Sequence, residues 1–173
     1  RLGPMKKHLG VWWKLLRDEK RELYLEGSMD AMAGEIINSF KECKGYAAKN
    51  ADTPAFPGTA LKKATEEDEI IMLDEYRSLV GKLLYFVTKL QPQMSNAVRE
   101  LSSHMSKPTK AHWKAAERCV GYLTKNRKDA KIILRKPKEL RSVSWCDSDH
   151  AKNEDNRKSI SGRVSTLGGM ITS

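Results

Sequence analysis

Cys146-Asp147-Ser148-Asp149 places two carboxylates at the end of an alternating apolar stretch. Such a stretch reads as a strand, with Val143, Trp145 and Asp147 on one face and Ser144 and Cys146 on the other. A carboxylate at a strand end is a seat for a divalent cation. Asp also fills turns for purely local reasons, so Asp149 reads equally as a turn cap. Gly81 is the second informative residue. It lies inside a helical pattern, where glycine costs ~1 kcal/mol relative to alanine. Its presence calls for a close approach, either by another helix or by a ligand. Cys43, Cys119 and Cys146 form no C-x-x-C pair, and His8, His104, His112 and His150 have no zinc-ligand spacing with them. Three separated cysteines argue against a disulfide framework and for a reducing compartment. His104 and His112 are separated by Pro108 and lack helical spacing, so no metal role is expected of them.

The elements that would position these residues are legible as patterns. Leu9–Leu16, a polar turn at Arg17–Arg21 and Glu22–Leu25 read as a β-hairpin. Ser28 is the expected N-cap of a helix over Met29–Lys41, with Met32, Ile36, Ile37 and Phe40 at helical spacing. Residues 46–75 read as a linker holding two prolines, Gly58 and an acidic run. A second helix is expected over Asp74–Leu90, with Leu79, Leu83, Phe86 and Leu90 as its apolar stripe, ended by Gln91-Pro92. A third spans Met94–Met105. A fourth follows Pro108-Thr109 and reaches Lys125, with a seam of Trp113, Ala116, Val120 and Leu123. Two short strands, Ala130–Arg135 and Leu140–Asp147, look antiparallel, and a last one covers Ser159–Thr166. The fold class is α+β.

The formal net charge is +10, and hydrophobic residues make up 39% of the 173 positions. The charge is concentrated. Residues 76–140 hold fifteen Lys and Arg against four Asp and Glu, whereas residues 66–75 hold six acids and no base. A basic block of this kind suits an anionic partner, nucleic acid first. It equally suits a solvated helical surface. No apolar run reaches the length of a membrane span, and no secretory signal is present, so an intracellular site in cytoplasm or nucleus is expected, without a membrane.

Four segments occur in fixed order: YRSLVGKLLY (76–85), KPTKAHWKAAERCVGYL (107–123), WCDSDHAKNEDNRKSISG (145–162) and LGG (167–169). Together they resemble the Pol polyprotein of copia-type retrotransposons, where the reverse transcriptase runs into RNase H. The resemblance implies a palm-edge hairpin and helix over 1–45, a linker over 46–75, thumb and connection over 76–140, and the opening of RNase H over 141–173. It implies that Leu9-Gly10 belongs to the primer grip and that the helix carrying Gly81 lies along the minor groove of a template–primer duplex. Gly10 and Gly81 would let backbone approach nucleic acid, Lys82 and Lys89 would meet phosphates, and Tyr85 would lie flat against sugars. Asp147 would be the first catalytic, metal-binding carboxylate of a two-metal nuclease using Mg²⁺. Where family members carry Arg-Pro-Asp after the thumb helix, this chain has Gln91-Pro92-Gln93. The turn is kept and the charged neighbours are not.

The resemblance also implies inactivity. Reverse transcriptases hold their metals on palm carboxylates that usually include an adjacent Asp pair, and this chain has none. Beyond Asp147 no residue after Asp155 is acidic. One carboxylate leaves Mg²⁺ short of protein oxygens. The parent is an RNA-directed DNA polymerase with ribonuclease H activity. This piece is expected to hold a primer–template duplex or RNA–DNA hybrid beside the remainder of Pol, with no cofactor of its own. The competing readings are a basic helical module that docks a protein, and a decayed element without function.

Overall fold

The computed structural model describes residues 6–58, 60–149 and 160–171. The elements run β1 (Lys7–His8), β2 (Val11–Arg17), β3 (Leu23–Ser28), α1 (Asp30–Lys44), α2 (Leu73–Lys89), α3 (Ser95–Ser102), α4 (Lys110–Asn126), β4 (Lys131–Arg135), β5 (Ser142–Asp149), β6 (Ile160–Leu167) and β7 (Met170–Ile171). The fold is α+β, with one sheet ordered β1-β2-β3-β4 and a second ordered β5-β6-β7. Two compact units divide it: Arg1–Trp13 with Gly27–Ile132, and Lys14–Glu26 with Ile133–Ser173. His150, Asp155 and Arg157-Lys158-Ser159, which belong to the third motif and the start of the last expected strand, lie outside the described residues.

The first unit is built on α2. Tyr76, Leu79, Val80, Leu83, Phe86 and Val87 recur at helical spacing and are all buried. They meet Ile36 and Phe40 of α1, Val98 and Leu101 of α3, and Trp113, Ala116, Val120 and Leu123 of α4 in one core. Tyr76 is fully buried and donates its hydroxyl to Leu101 O at 3.1 Å. Its ring meets Trp113 edge-on, 5.4 Å between centroids. Such an edge-to-face pair adds ~0.5–1.5 kcal/mol beyond area burial.

α4 is the surface on which the chain before α2 is laid. A Cβ on Gly121 would overlap the Lys49 carbonyl oxygen, so only glycine lets this backbone pass. On either side of that crossing the Cys119 thiol donates to Pro54 O at 3.1 Å, Arg118 donates to Thr53 Oγ1 at 2.7 Å, and Lys125 pairs with Asp52. Burial pushes the Cys119 thiol up to about 12, which keeps it a neutral donor. Further on, Ile71 N–H donates to Pro108 O and Trp113 Nε1 donates to Ile71 O, at 3.0 and 3.1 Å. Asp52, Thr53, Pro54 and Ile71 are thereby fastened to α4 and to Pro108 just before it.

His112 holds the middle of this segment. Thr109 N–H donates to His112 Nδ1 at 2.9 Å, closing a capping box at the start of α4. Nδ1 is therefore the acceptor, and Nε2 carries the proton that it donates to Lys62 O at 2.9 Å. His104 stacks on the same ring, 4.2 Å between centroids. Sequence spacing hid this pair, because a turn around Pro108 brings together two residues that no helix could.

Local differences from the sequence expectations have physical causes. Ser28 ends β3 instead of capping α1, whose first turn begins after Met29 with no side-chain cap. Pro92 opens a 3-10 turn over Pro92–Met94, which shortens the third helix to Ser95–Ser102. Leu9 and Gly10 form a two-residue turn between β1 and β2, with φ +46° and +80°, and not the start of a strand. Two positive φ values are what a type I′ hairpin requires. β4 and β5 belong to different sheets and do not pair with one another.

The second unit has few buried side chains. Asp18 closes the polar turn predicted at Arg17–Arg21. Its carboxylate accepts from Lys20 N and Glu22 N at 3.0 Å and pairs with Arg135 at 2.6 Å. The Arg135 guanidinium holds the Asp18 carboxyl below its usual range. β5 and β6 pair antiparallel from Ser142↔Leu167 to Asp149↔Ile160, and Gly168-Gly169 makes the turn into β7.

Two measurements check this account. Gly121→Ala should destabilise the fold by about 3 kcal/mol or more, the cost of overpacking against backbone that cannot rotate away, read from urea unfolding by circular dichroism. Burial pushes the His112 pKa down, partly opposed by the Lys62 carbonyl and Asp68. The unfolded chain then binds the proton more readily than the folded one between the depressed value and the ordinary ~6.5. The contribution of neutral His112 is complete above that window and is lost as pH falls through it. His112→Gln keeps a capping acceptor and should flatten the loss of stability between about pH 7 and pH 5.

Candidate nucleic-acid interface

Burying one face of α2 leaves the opposite face bare. That outer face carries Ser78, Gly81, Lys82, Tyr85 and Lys89 at helical spacing. Gly81 is exposed, and a Cβ built on it would meet nothing within 4 Å. No described residue uses the space. Gly121 on α4 is the opposite case, where the chain's own backbone fills the gap. The open position on α2 is a stretch of helix backbone reachable from outside.

Tyr85 joins this face to the hairpin. Its hydroxyl donates to Leu9 O at 2.8 Å, and its ring is 42% exposed. A Cβ on Gly10 would lie 3.4 Å from the Tyr85 hydroxyl and 3.3 Å from Met29 Cε. Gly10 thus serves the turn geometry and the packing against Tyr85 together. Lys89 Nζ lies 5.9 Å from the Tyr85 ring centroid, at the outer limit of a cation–π contact. Gly10, Gly81, Tyr85 and Lys89 therefore lie along one tract running from the β1–β2 turn along α2, with Gly81 and Tyr85 exposed and Gly10 and Lys89 half-buried.

Lys82 is placed differently. Its ammonium sits 3.0 Å from the Glu35 carboxylate and 2.8 Å from Ser39 Oγ, both on α1. Its side chain is 28% exposed. Lys82 braces α2 against α1, and its charge is already partly balanced. The Glu35–Lys82 pairing had no signal in the sequence, because the partners lie on separate helices.

Asp147 lies on β5 opposite Gly162 of β6 and is exposed. Asp149 is the last residue of the same strand. Among the described residues no group of three or more His, Cys, Asp and Glu is gathered in a way that could hold a metal ion. Asp147 supplies one carboxylate, and Mg²⁺ demands near-octahedral oxygen coordination. The described residues therefore do not make up a two-metal centre.

Known proteins bear on the same region. The chain is 37% identical over 94 residues to the retrovirus-related Pol polyprotein from transposon RE2 of Arabidopsis thaliana, which covers 54% of this chain and 6% of that one. It is 29% identical over 174 residues to the corresponding polyprotein from transposon TNT 1-94 of Nicotiana tabacum, covering 97% of this chain and 12% of that one. It is 32% identical over 133 residues to that from transposon RE1 of Arabidopsis thaliana, covering 77% and 9%. The chain thus spans at most 12% of the length of these three relatives. No family model and no solved structure matches it. No helix among the described residues is long and apolar enough to cross a membrane.

Tyr85→Phe isolates the link between turn and helix. It should lower stability by no more than about 1 kcal/mol, the net worth of one hydrogen bond. Amide exchange at Gly10 and Val11 should accelerate, while exchange within α2 is unchanged.

Proposed function

The chain belongs to the copia-type transposon Pol polyproteins, and on that premise we propose that it is the stretch where reverse transcriptase passes into RNase H. Its role is to hold a primer–template duplex or an RNA–DNA hybrid. The observation that carries this reading is the open space over Gly81. A mid-helix glycine costs ~1 kcal/mol relative to alanine. No described residue repays that cost by packing there. A ligand that must touch helix backbone would. The tract is suited to a duplex. Gly81 offers Cβ-free backbone, Tyr85 offers a partly exposed ring, Lys89 offers a charge for phosphate, and Gly10 shapes the turn that holds Tyr85. Lys82 contributes by fixing α2 against α1.

Catalysis is assigned elsewhere in the polyprotein. Asp147 is the residue of this stretch that would join a Mg²⁺ site, completed by carboxylates from other parts of Pol. Alone it gives a cation no cage, and neither polymerase nor nuclease turnover is expected from residues 1–173. The remainder of Pol is accordingly the natural protein partner.

The test is fluorescence anisotropy with a labelled RNA–DNA hybrid, in about 50 and 200 mM salt, since duplex binding weakens with each phosphate neutralised. Gly81→Ala should raise folding stability by roughly 0.5–1 kcal/mol and yet weaken the complex. Gly81→Leu should weaken it further, and Lys89→Ala should lower the salt slope by about one. Affinity indifferent to salt, or unchanged in Gly81→Leu, would sink the proposal.

A further inference from the structure

Thr53 is the only serine or threonine of the chain that stands directly before a proline. It lies in the segment laid on α4 and is exposed. Its hydroxyl donates to Ala55 O at 2.8 Å and accepts from Arg118 Nη2 at 2.7 Å. The lone-pair side of an exposed hydroxyl therefore points at a guanidinium.

That one bond does not satisfy Arg118. Its Nε is buried and has no hydrogen-bond partner among the described residues. Nε–H and one N–H of Nη2 share an edge of the planar guanidinium, the fork that grips two oxygens of a carboxylate or a phosphate. Arg127 shows the fork filled, with Nε and Nη2 donating to the two Asp30 carboxylate oxygens at 2.7 and 2.9 Å. At Arg118 the same edge holds a single hydroxyl oxygen. Stacking fixes its plane, with Cζ 4.3 Å from the Phe56 ring centroid. Lys114 Nζ lies 5.9 Å from the same ring and has no carboxylate partner among the described residues. Lys125 pairs with Asp52, the residue before Thr53. That ammonium, and after it the Arg118 charge, holds the Asp52 carboxyl below its usual range. Glu117 is engaged elsewhere, accepting from the Tyr46 hydroxyl at 3.1 Å. Three cations thus stand around residues 52–56 against the one charge of Asp52, an excess of two.

We infer that Thr53 is a phosphorylation site whose phosphate is held by the Arg118 fork. The γ-phosphoryl group of ATP moves to Thr53 Oγ1. Its bond to ADP breaks, the ester bond forms, and the hydroxyl proton leaves to the base of a protein kinase that reads threonine before proline. The bond to Ala55 O is lost with that proton. In exchange, phosphate oxygens accept from Nε and Nη2 together, and a charge of about −2 meets the cationic excess. The phosphate then ties this segment more firmly to α4, next to the Gly121 crossing. The inference is independent of the duplex reading, since the cluster lies on α4 and the duplex tract runs along α2.

The experiment incubates the full chain with ATP and a proline-directed kinase of the mitogen-activated class, and maps the product by tandem mass spectrometry. A phosphate at Thr53 is expected. In ³¹P NMR it should titrate below the ~6 of an unheld phosphothreonine. The Arg118 Nε–H signal should move downfield, and the thermal midpoint should rise by about 2–4 °C. Arg118→Lys keeps the charge and loses the fork, so its phosphate should titrate near the ordinary value. The Arg118 signal is read on the unaltered sequence, which keeps the test decisive should that variant fold poorly. No phosphate at Thr53 of the folded chain would overturn the inference. So would a Thr53 phosphate that leaves the Arg118 signal unmoved, lowers the thermal midpoint, or titrates identically in Arg118→Lys.

Discussion

The close pass of the Lys49 carbonyl over Gly121 is the constraint on which the first unit depends. It lets residues 46–56 lie against α4 instead of looping into solvent. Once that strand of chain is down, His112 can reach Lys62 O and Trp113 can reach Ile71 O. The second of those bonds fixes the chain two residues ahead of α2, which starts at Leu73, and the first fixes it further upstream. α4 therefore acts as a template that sets where α2 begins and which way its bare face turns. A side chain at position 121 would lift the crossing, and the effect would travel to α2 without any residue of the tract being altered.

Gly121 and Gly81 look alike in the sequence, each a glycine inside a helix with apolar neighbours. The structure separates them by what occupies the missing Cβ position. At Gly121 it is the chain's own backbone. At Gly81 it is nothing within 4 Å. The first is explained by folding alone. At the second no described residue takes up the space, so the proposed duplex contact rests on it more than on any charged residue of the basic block. Lys82 makes the same point from the other side. It has the right charge and position for phosphate, yet Glu35 and Ser39 already hold it.

Periodicity made the helices legible. The apolar stripe of α2 and the 3, 4, 3 seam of α4 are local facts of sequence, and both elements end within a residue or two of where the pattern places them. Long-range pairings were not legible. His104 and His112 stack because a turn folds back around Pro108, and residue spacing carries no trace of that. Residues 46–75 have the composition of a linker, and composition is silent about a backbone that fastens to a helix through carbonyls and one glycine. Of the tract, Gly81 was legible through its helix cost. The anchoring of Tyr85 to Leu9 O was not, since it spans 76 residues.

The outer face of α2 is polarised along its length, and this limits where a polyanion can lie. Asp74 and Glu75 stand at the start of the helix, Gly81 near its middle and Lys89 at its end. The carboxylates suit the positive end of the helix dipole and the lysine suits the negative end, so folding alone favours the arrangement. The same arrangement gives a phosphate backbone a favourable approach from Gly81 toward Lys89 and an unfavourable one toward Asp74. Formal charge overstates the attraction in a second way. Lys82, Lys125, Arg127 and Arg135 are each committed to a carboxylate of the chain. Cations already paired release fewer counterions on binding. The excess of lysine and arginine over 76–140 is thus partly internal fastening, and the part left for a duplex is narrower and more directional than the net charge suggests.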